Sequence, residues 1–233
     1  MAAQLRPASG AQPTAQSVID TAVGLIPDAR WASVTIRSGR RSFETLTSTH
    51  DEARAADRLQ YELGEGPCVD AATEVGWLRT GDVGHDPRWP TWGPQASRLG
   101  VSSLLSLQLT SDDQPVGALN LYSPEPDLFR DDDEIAFALL YASHAALALT
   151  STRQIEGLRS AISSRHVIGL AQGILMERYD LTVDTSFALL RRYSNVHNAK
   201  LARVAADVVS TRRLPSGAGA DGGGPTPGTA DPG

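Results

Sequence analysis

The side chains best suited to chemistry lie in the last third of the chain. Arg191 and Arg192 stand beside Tyr193 and Ser194, Asn198 and Lys200 follow closely, and Arg165 and Arg178 lie upstream. A guanidinium donates two hydrogen bonds at once to a phosphate. A helix start offers free N–H groups to the same anion. On charge alone two readings stand level: a nucleic-acid face, or the solvated basic face of a structural bundle. Tyr193 suits either ring stacking on a base or core packing, and its place on an apolar stripe favours the core.

Catalytic groupings are not found. The five histidines (His50, His85, His144, His166, His197) are dispersed, and no pair has the i, i+4 spacing of a helical metal site. His50 with Asp51 and His85 with Asp86 are adjacent pairs of the kind that serve loops and caps. Neither a GxSxG elbow nor a kinase signature occurs. The stretch Gly64-Glu65-Gly66-Pro67 lacks the Lys-Ser/Thr of a phosphate loop and reads as a tight turn. Cys68 is the one cysteine, which excludes an internal disulfide or a four-cysteine zinc site. Beside a helix start its thiol could have a lowered pKa, and it could then ligate a chromophore or sense oxidants. A small buried core residue is the alternative that ranks first. The expectation is no enzyme, no catalytic residue, no metal and no cofactor.

Along the chain the charge is divided. Residues 1–150 hold 11 arginines against 20 acidic residues, whereas residues 151–214 hold 10 basic against 5 acidic, within an overall net of −6. An acidic part followed by a basic part implies two different jobs. The 41% hydrophobic and 21% charged fractions suffice to build a core. The start MAAQLRPASGAQPTAQ has no apolar stretch, and the longest apolar run, Ile135 to Leu149, is short of the roughly 20 residues that span a bilayer. A cytoplasmic protein with no membrane association is expected.

The elements that must position these side chains follow from periodicity. Ala15 to Ile26 carries a helical apolar stripe. Trp31 to Ile36 and Phe43 to Ser48 alternate and read as a hairpin. Helices are expected over Asp51 to Leu63, Val69 to Glu74 and Trp92 to Leu99, and strands over Trp77 to Asp82, Val101 to Leu109 and Val116 to Ser123, in an antiparallel, meander-like order. From Asp131 no proline occurs until Pro215, so one helix can run to about Arg178. Ile155, Leu158, Ile162 and Met176 give it a coiled-coil-like seam, interrupted by Arg165, Gly169 and Gln172. Thr182 and Asn198 are expected to cap two shorter helices, Val183 to Tyr193 and Ala199 to Arg212.

The run SRHVIGLAQGILMERYDLTVDTSFALLRRYSNVHNAKLARVAADVV resembles the ANTAR family of transcription antitermination regulators. The matching positions include Arg165, Gly169, Gly173 to Arg178, Phe187, Leu190, Arg191, Ser194, Asn198, Lys200 and Ala205. Gln172 departs from the lysine frequent there, and Ser186 from alanine. This resemblance implies binding of hairpin RNA in nascent transcripts, commonly as a dimer, with Arg165, Gln172, Arg178, Arg191, Arg192, Ser194, Asn198 and Lys200 as the RNA-binding set. Upstream, the strand SVTI, the segment GEGPCVDAA, the run DPRWP and the strands SLLSLQL and PVGALNLYS resemble a GAF domain, which implies a pocket for an unknown small molecule, with Cys68 as the ligand or redox candidate. The expected fold class is α+β: a GAF-like antiparallel sheet with helices, then a long helix and a small three-helix bundle. Expected boundaries are a disordered stretch 1–14, a sensor domain 15–150, an RNA-binding domain 151–213 (helices 151–178, 183–195 and 199–212) and a disordered tail 214–233. The expected function is a signal-responsive, homodimeric antitermination regulator. The alternative is a sensor or adaptor that acts through protein partners, its bundle serving dimerisation.

Overall fold

The computed structural model describes residues 10–39, 42–73 and 76–214. The disorder expected over 1–9 and 215–233 lies outside the described residues. The chain divides into two compact units, Met1–Gly157 and Leu158–Gly233.

The first unit is a five-stranded antiparallel sheet with helices on both faces. In chain order it comprises α1 (Ala11–Leu25), β1 (Trp31–Arg37), β2 (Phe43–Ser48), α2 (Asp51–Leu63), α3 (Pro67–Ala71), β3 (Trp77–Thr80), a 3-10 turn (Val83–His85), α4 (Trp92–Arg98), β4 (Ser103–Ser111), β5 (Gln114–Ser123) and the start of α5 (Asp132–Tyr179). The strand order is β2-β1-β5-β4-β3. This corrects the meander: β3, β4 and β5 follow one another, but β1 pairs with β5, with Val34 opposite Leu119. Two starts also shift. Residues 11–14, expected to be disordered, form the first turn of α1, where Ala11 and Ala15 are buried. The short helix expected from Val69 begins at Pro67, whose fixed φ suits a first helical turn.

Alternation along the strands makes two different faces. One is apolar: Ala32, Val34 and Ile36 of β1, Leu105, Leu107 and Leu109 of β4, and Leu119 and Leu121 of β5 pack with Ile19 and Ala22 of α1 and Ala138, Ala142, Ala145 and Leu149 of α5. By length and composition alone α5 is apolar enough to cross a membrane, and here those alanines are part of that core. The opposite face carries Ser33, Thr35, Ser106, Asn120 and Tyr122, all fully buried beneath α2, α3 and α4. Trp89 and Trp92, edge to face at 6.1 Å, fill the far end of that layer.

The second unit contains the end of α5, α6 (Val183–Val196) and α7 (Leu201–Thr211). Ala171 and Leu175 of α5, Leu190 of α6 and Val204, Ala205 and Val208 of α7 form its core. Tyr193 packs against this cluster, as its stripe indicated. The Thr182 hydroxyl caps α6 by accepting from the Thr185 N–H at 3.2 Å. The cap expected at Asn198 is not made. Asn198 adopts φ 46° in the turn after α6, and α7 starts at Leu201 with Lys200 as a cap that gives no side-chain bond. Asparagine tolerates that left-handed conformation, and the joint uses it for this.

Candidate functional sites: a basic helical joint and a buried polar face

The α6–α7 joint is fastened by Ser194. Its Oγ donates to the Ala199 carbonyl at 2.6 Å, and the Ala199 N–H donates to the Ser194 carbonyl at 3.0 Å. These bonds fold the turn that exposes Asn198 and Lys200. Arg191 and Arg192 are exposed on the last turns of α6, and Arg165 is exposed on α5. Among the described residues, Arg165, Arg191, Arg192, Asn198 and Lys200 have no side-chain hydrogen bond or ion pair to other parts of the chain, so their donors face solvent. Arg203, exposed one turn beyond Lys200, extends this basic set. Sequence reading passed over it, although its i+3 spacing from Lys200 was visible.

Three residues of the expected RNA-binding set are engaged inside the unit. Gln172 Nε2 donates to the Val183 carbonyl at 3.1 Å, which ties α5 to the start of α6. Arg178 Nη1 donates to the Arg212 carbonyl at 3.0 Å, at the end of α7. Ser194 holds the joint as described. Each thus commits a donor within the unit. At Gln172 an amide reaches a carbonyl and adds no charge.

The first unit has a second arrangement, on its buried polar face. Asp57 of α2 is fully buried. Its carboxylate accepts from Thr45 Oγ1 at 2.9 Å, from Asn120 Nδ2 at 3.1 Å and from the Tyr122 hydroxyl. Among the described residues no cation forms an ion pair with it. Desolvation pushes this carboxyl up to about 6, against the pull of its Tyr122, Ser33 and Thr45 bonds and of the Arg54 charge. Asn120 Nδ2 is shared further with Ser33, Thr35 and the Cys68 sulfur, at 3.1–3.2 Å, while its Oδ1 accepts from Ser106 at 2.7 Å.

Cys68 lies in this cluster, fully buried. The lowered thiol pKa expected from its helix start is not found: burial, then the Asp57 charge, push it up to about 12. A helix of five residues offsets little of that cost. The thiol donates to Thr35 Oγ1 at 3.3 Å, and the Cys68 N–H donates to Gln60 Oε1 at 2.7 Å. Gln60 Nε2 is buried with no hydrogen-bond partner. Gly66 explains the glycine here: its φ is +140°, and a Cβ at this position would fall 2.4 Å from Gln60 Oε1. Glu65 reaches the other way. Its Oε1 accepts from the N–H groups of Thr91 and Trp92 at 2.7 and 2.8 Å and so caps α4. Against the desolvation that pushes it up, those N–H groups hold the Glu65 carboxyl below its ordinary range.

An open surface cleft of about 770 Å³ lies beside Arg79, His85, Arg88 and Asp127. Arg88 pairs with Asp86 at 2.6 Å, whereas Arg79 lies 3.7 Å from an Asp127 that Arg130 holds at 2.7 Å, and Arg79 Nη2 has no hydrogen-bond partner among the described residues. Among the described residues no three His, Cys, Asp or Glu side chains are grouped to hold a metal.

Comparison with known proteins bears on both units. A GAF domain family model matches residues 9–150, and an ANTAR domain model matches residues 156–209. A search of curated proteins returns no match. Among solved structures the chain is similar to a domain of a protein described as a two-component sensor histidine kinase from Sinorhizobium meliloti 1021, at 18% identity and a TM-score of 0.51, covering 64% of this chain and 96% of that one. It is also similar to GAF3 of Slr1393 from Synechocystis sp. PCC6803 in its photoproduct state, at 14% identity and a TM-score of 0.51, covering 64% and 99%. At these identities the likeness shows the fold of the first unit.

Proposed function

The chain belongs to the GAF domain family and carries an ANTAR domain behind it, and from that premise we propose that it is a cytoplasmic, signal-responsive regulator that binds hairpin RNA in nascent transcripts and controls their termination. A GAF domain joined to an ANTAR domain is a sensor-regulator. The finer reading rests on one observation: within the ANTAR match, Arg191, Arg192 and Lys200 are exposed at one joint with their donors uncommitted. Arginine forks and a lysine at an uncapped helix start suit phosphates on both sides of a hairpin loop. Arg165, Asn198 and Arg203 extend the contact set, and Gln172, Arg178 and Ser194 hold it in place.

The signal is a small molecule taken up on the buried polar face of the first unit. Gln60 supports this, since a buried amide donor with no partner is satisfied by any ligand bringing an acceptor. A redox signal through Cys68 is the weaker form of the proposal, because the thiol is buried and held protonated. A homodimer forms along α5, where Leu158 and Ile162 are 66% and 68% exposed and continue the seam from Ile155.

RNA capture from host extract with sequencing tests the main reading. Wild-type protein is expected to enrich hairpins, and the double variant Arg191→Ala, Lys200→Ala is expected to lose most of that enrichment while keeping its circular dichroism spectrum. Should wild-type protein enrich no hairpin and instead retain a protein partner, the adaptor reading replaces it.

A further inference from the structure

The buried polar face contains a continuous chain of hydrogen bonds between the Cys68 thiol and the Asp57 carboxylate. It runs from Cys68 Sγ to Thr35 Oγ1 (3.3 Å), to the Tyr61 hydroxyl (2.7 Å), to Thr45 Oγ1 (2.9 Å) and to Asp57 Oδ2 (2.9 Å). Every intermediate member is a hydroxyl, which donates one hydrogen and accepts others. Along its three hydroxyls such a chain can run in either direction.

With Asp57 ionised the direction is fixed. Thr45 must donate to the carboxylate, Tyr61 to Thr45, Thr35 to Tyr61, and the thiol to Thr35. With a proton on Asp57 Oδ2 the new O–H needs an acceptor, and Thr45 Oγ1, 2.9 Å from that oxygen, takes the role. Thr45 then donates to Tyr61, Tyr61 to Thr35, and Thr35 to the Cys68 sulfur. One proton taken from solvent converts carboxylate to carboxylic acid and reverses the Thr35–Cys68 bond: the sulfur, which already accepts from Asn120, accepts from Thr35 as well, and the thiol keeps its hydrogen but turns it away from Thr35.

We propose that Asp57 is a proton-binding site whose state is transmitted through Thr45, Tyr61 and Thr35 to Cys68, so that the hydrogen bond by which α3 meets β1 at the thiol changes direction with pH. The groups around Asp57 are consistent with uptake of a single proton. Arg54 and Tyr61 lie on its own helix, Tyr122 on β5 and Cys68 on α3, with Asp70 acting on Cys68. β1 and β2 contribute Ser33, Thr35 and Thr45, with Phe43 stacked on Tyr61 at 5.9 Å, and α4 presents Trp92, whose Nε1 donates to the Ala56 carbonyl. Tyr61, Tyr122 and Cys68 are all pushed upward, chiefly by desolvation and then by Asp57. They stay protonated while Asp57 titrates.

The sign follows from linkage. The folded-state value of Asp57, about 6, lies above its ordinary 3.8. The folded protein therefore holds the proton more tightly than the unfolded chain. The resulting stability is complete below about pH 4 and is lost as pH rises to about 6, after which it is flat. Within that window the unfolding equilibrium constant contributed by this group rises close to tenfold per pH unit.

This inference concerns the same face as the sensing proposal but stands without it, since its test needs no ligand and no RNA. The chain has one cysteine, so its infrared S–H band reports one group. In full-length protein one aspartate carboxyl 13C resonance is expected to titrate near pH 6, and the S–H band is expected to shift with the same midpoint. Asp57→Asn, whose amide donates to Thr45 as the acid does, should hold the band at its low-pH position throughout. Thr45→Val removes a bond that lowers the carboxyl and should move the midpoint upward, which keeps the test open if the asparagine variant fails to fold. No aspartate titrating above pH 5 overturns the proton site. A carboxyl that titrates near 6 while the S–H band stays fixed overturns the relay.

Discussion

At the scale of single residues, the chemistry of a side chain here depends on what covers it. Asp57 and Asp86 are both aspartates, yet burial raises the first, while its hydrogen bonds from Arg88 hold the second below its ordinary value. Cys68 follows the same logic, as a thiol that its surroundings keep protonated. Asn198 is the residue whose role changed most, from helix cap to left-handed turn. At φ 46° a β-branched side chain is strained by roughly 1–2 kcal/mol, whereas glycine adopts this conformation freely. Asn198→Val is therefore expected to lower the urea midpoint of the second unit and Asn198→Gly to leave it nearly unchanged. Equal losses in the two variants would show that the side chain, and not the backbone, matters there.

Elements were the level at which the sequence could be read best. The apolar periodicity of α1, the alternation of β4 and β5 and the proline-free run of α5 mark those elements directly. The buried polar face was not legible, for a physical reason. Ser33, Thr35, Ser106 and Asn120 occupy the polar positions of alternating strands, and alternation alone assigns those positions to solvent. The signal that could have revealed a cover was in α2, whose buried positions are Ala53, Ala56, Asp57 and Gln60: a helix face that is small and polar has to sit on something equally polar. At the α6–α7 joint the basic residues were legible by type, but which of them point outward depended on Gln172, Arg178 and Ser194 finding carbonyls within the unit. The pair of helices makes a quantitative prediction. Phosphate contacts release counterions, so RNA affinity falls linearly with salt on logarithmic axes. Arg191→Ala with Lys200→Ala should reduce that slope by about two, one per contact removed, whereas Ser194→Ala should weaken binding with the slope kept. A slope unchanged by the double variant would remove both residues from the interface.

For the whole molecule, the divided charge of the sequence corresponds to two separately packed units: an acidic one built on a sheet and a basic one built of helices. Self-association is the property that belongs to this scale. Leu158 and Ile162 are exposed on α5 and contribute to no core cluster among the described residues, so replacing both by glutamate leaves the packing of either unit intact. Sedimentation should show a dimer for the wild type and a monomer for Leu158→Glu with Ile162→Glu, at equal helicity. A dimer that persists would move the self-contact elsewhere.

The burial of the chain's one thiol gives the protein a built-in clock. A thiol-reactive dye can modify only those molecules in which α3 has lifted from the sheet, so the labelling rate counts openings of that cover. Any compound that settles on the polar face slows the clock, whatever its chemistry. A metabolite library can thus be screened by labelling kinetics alone, before anything is known of the signal.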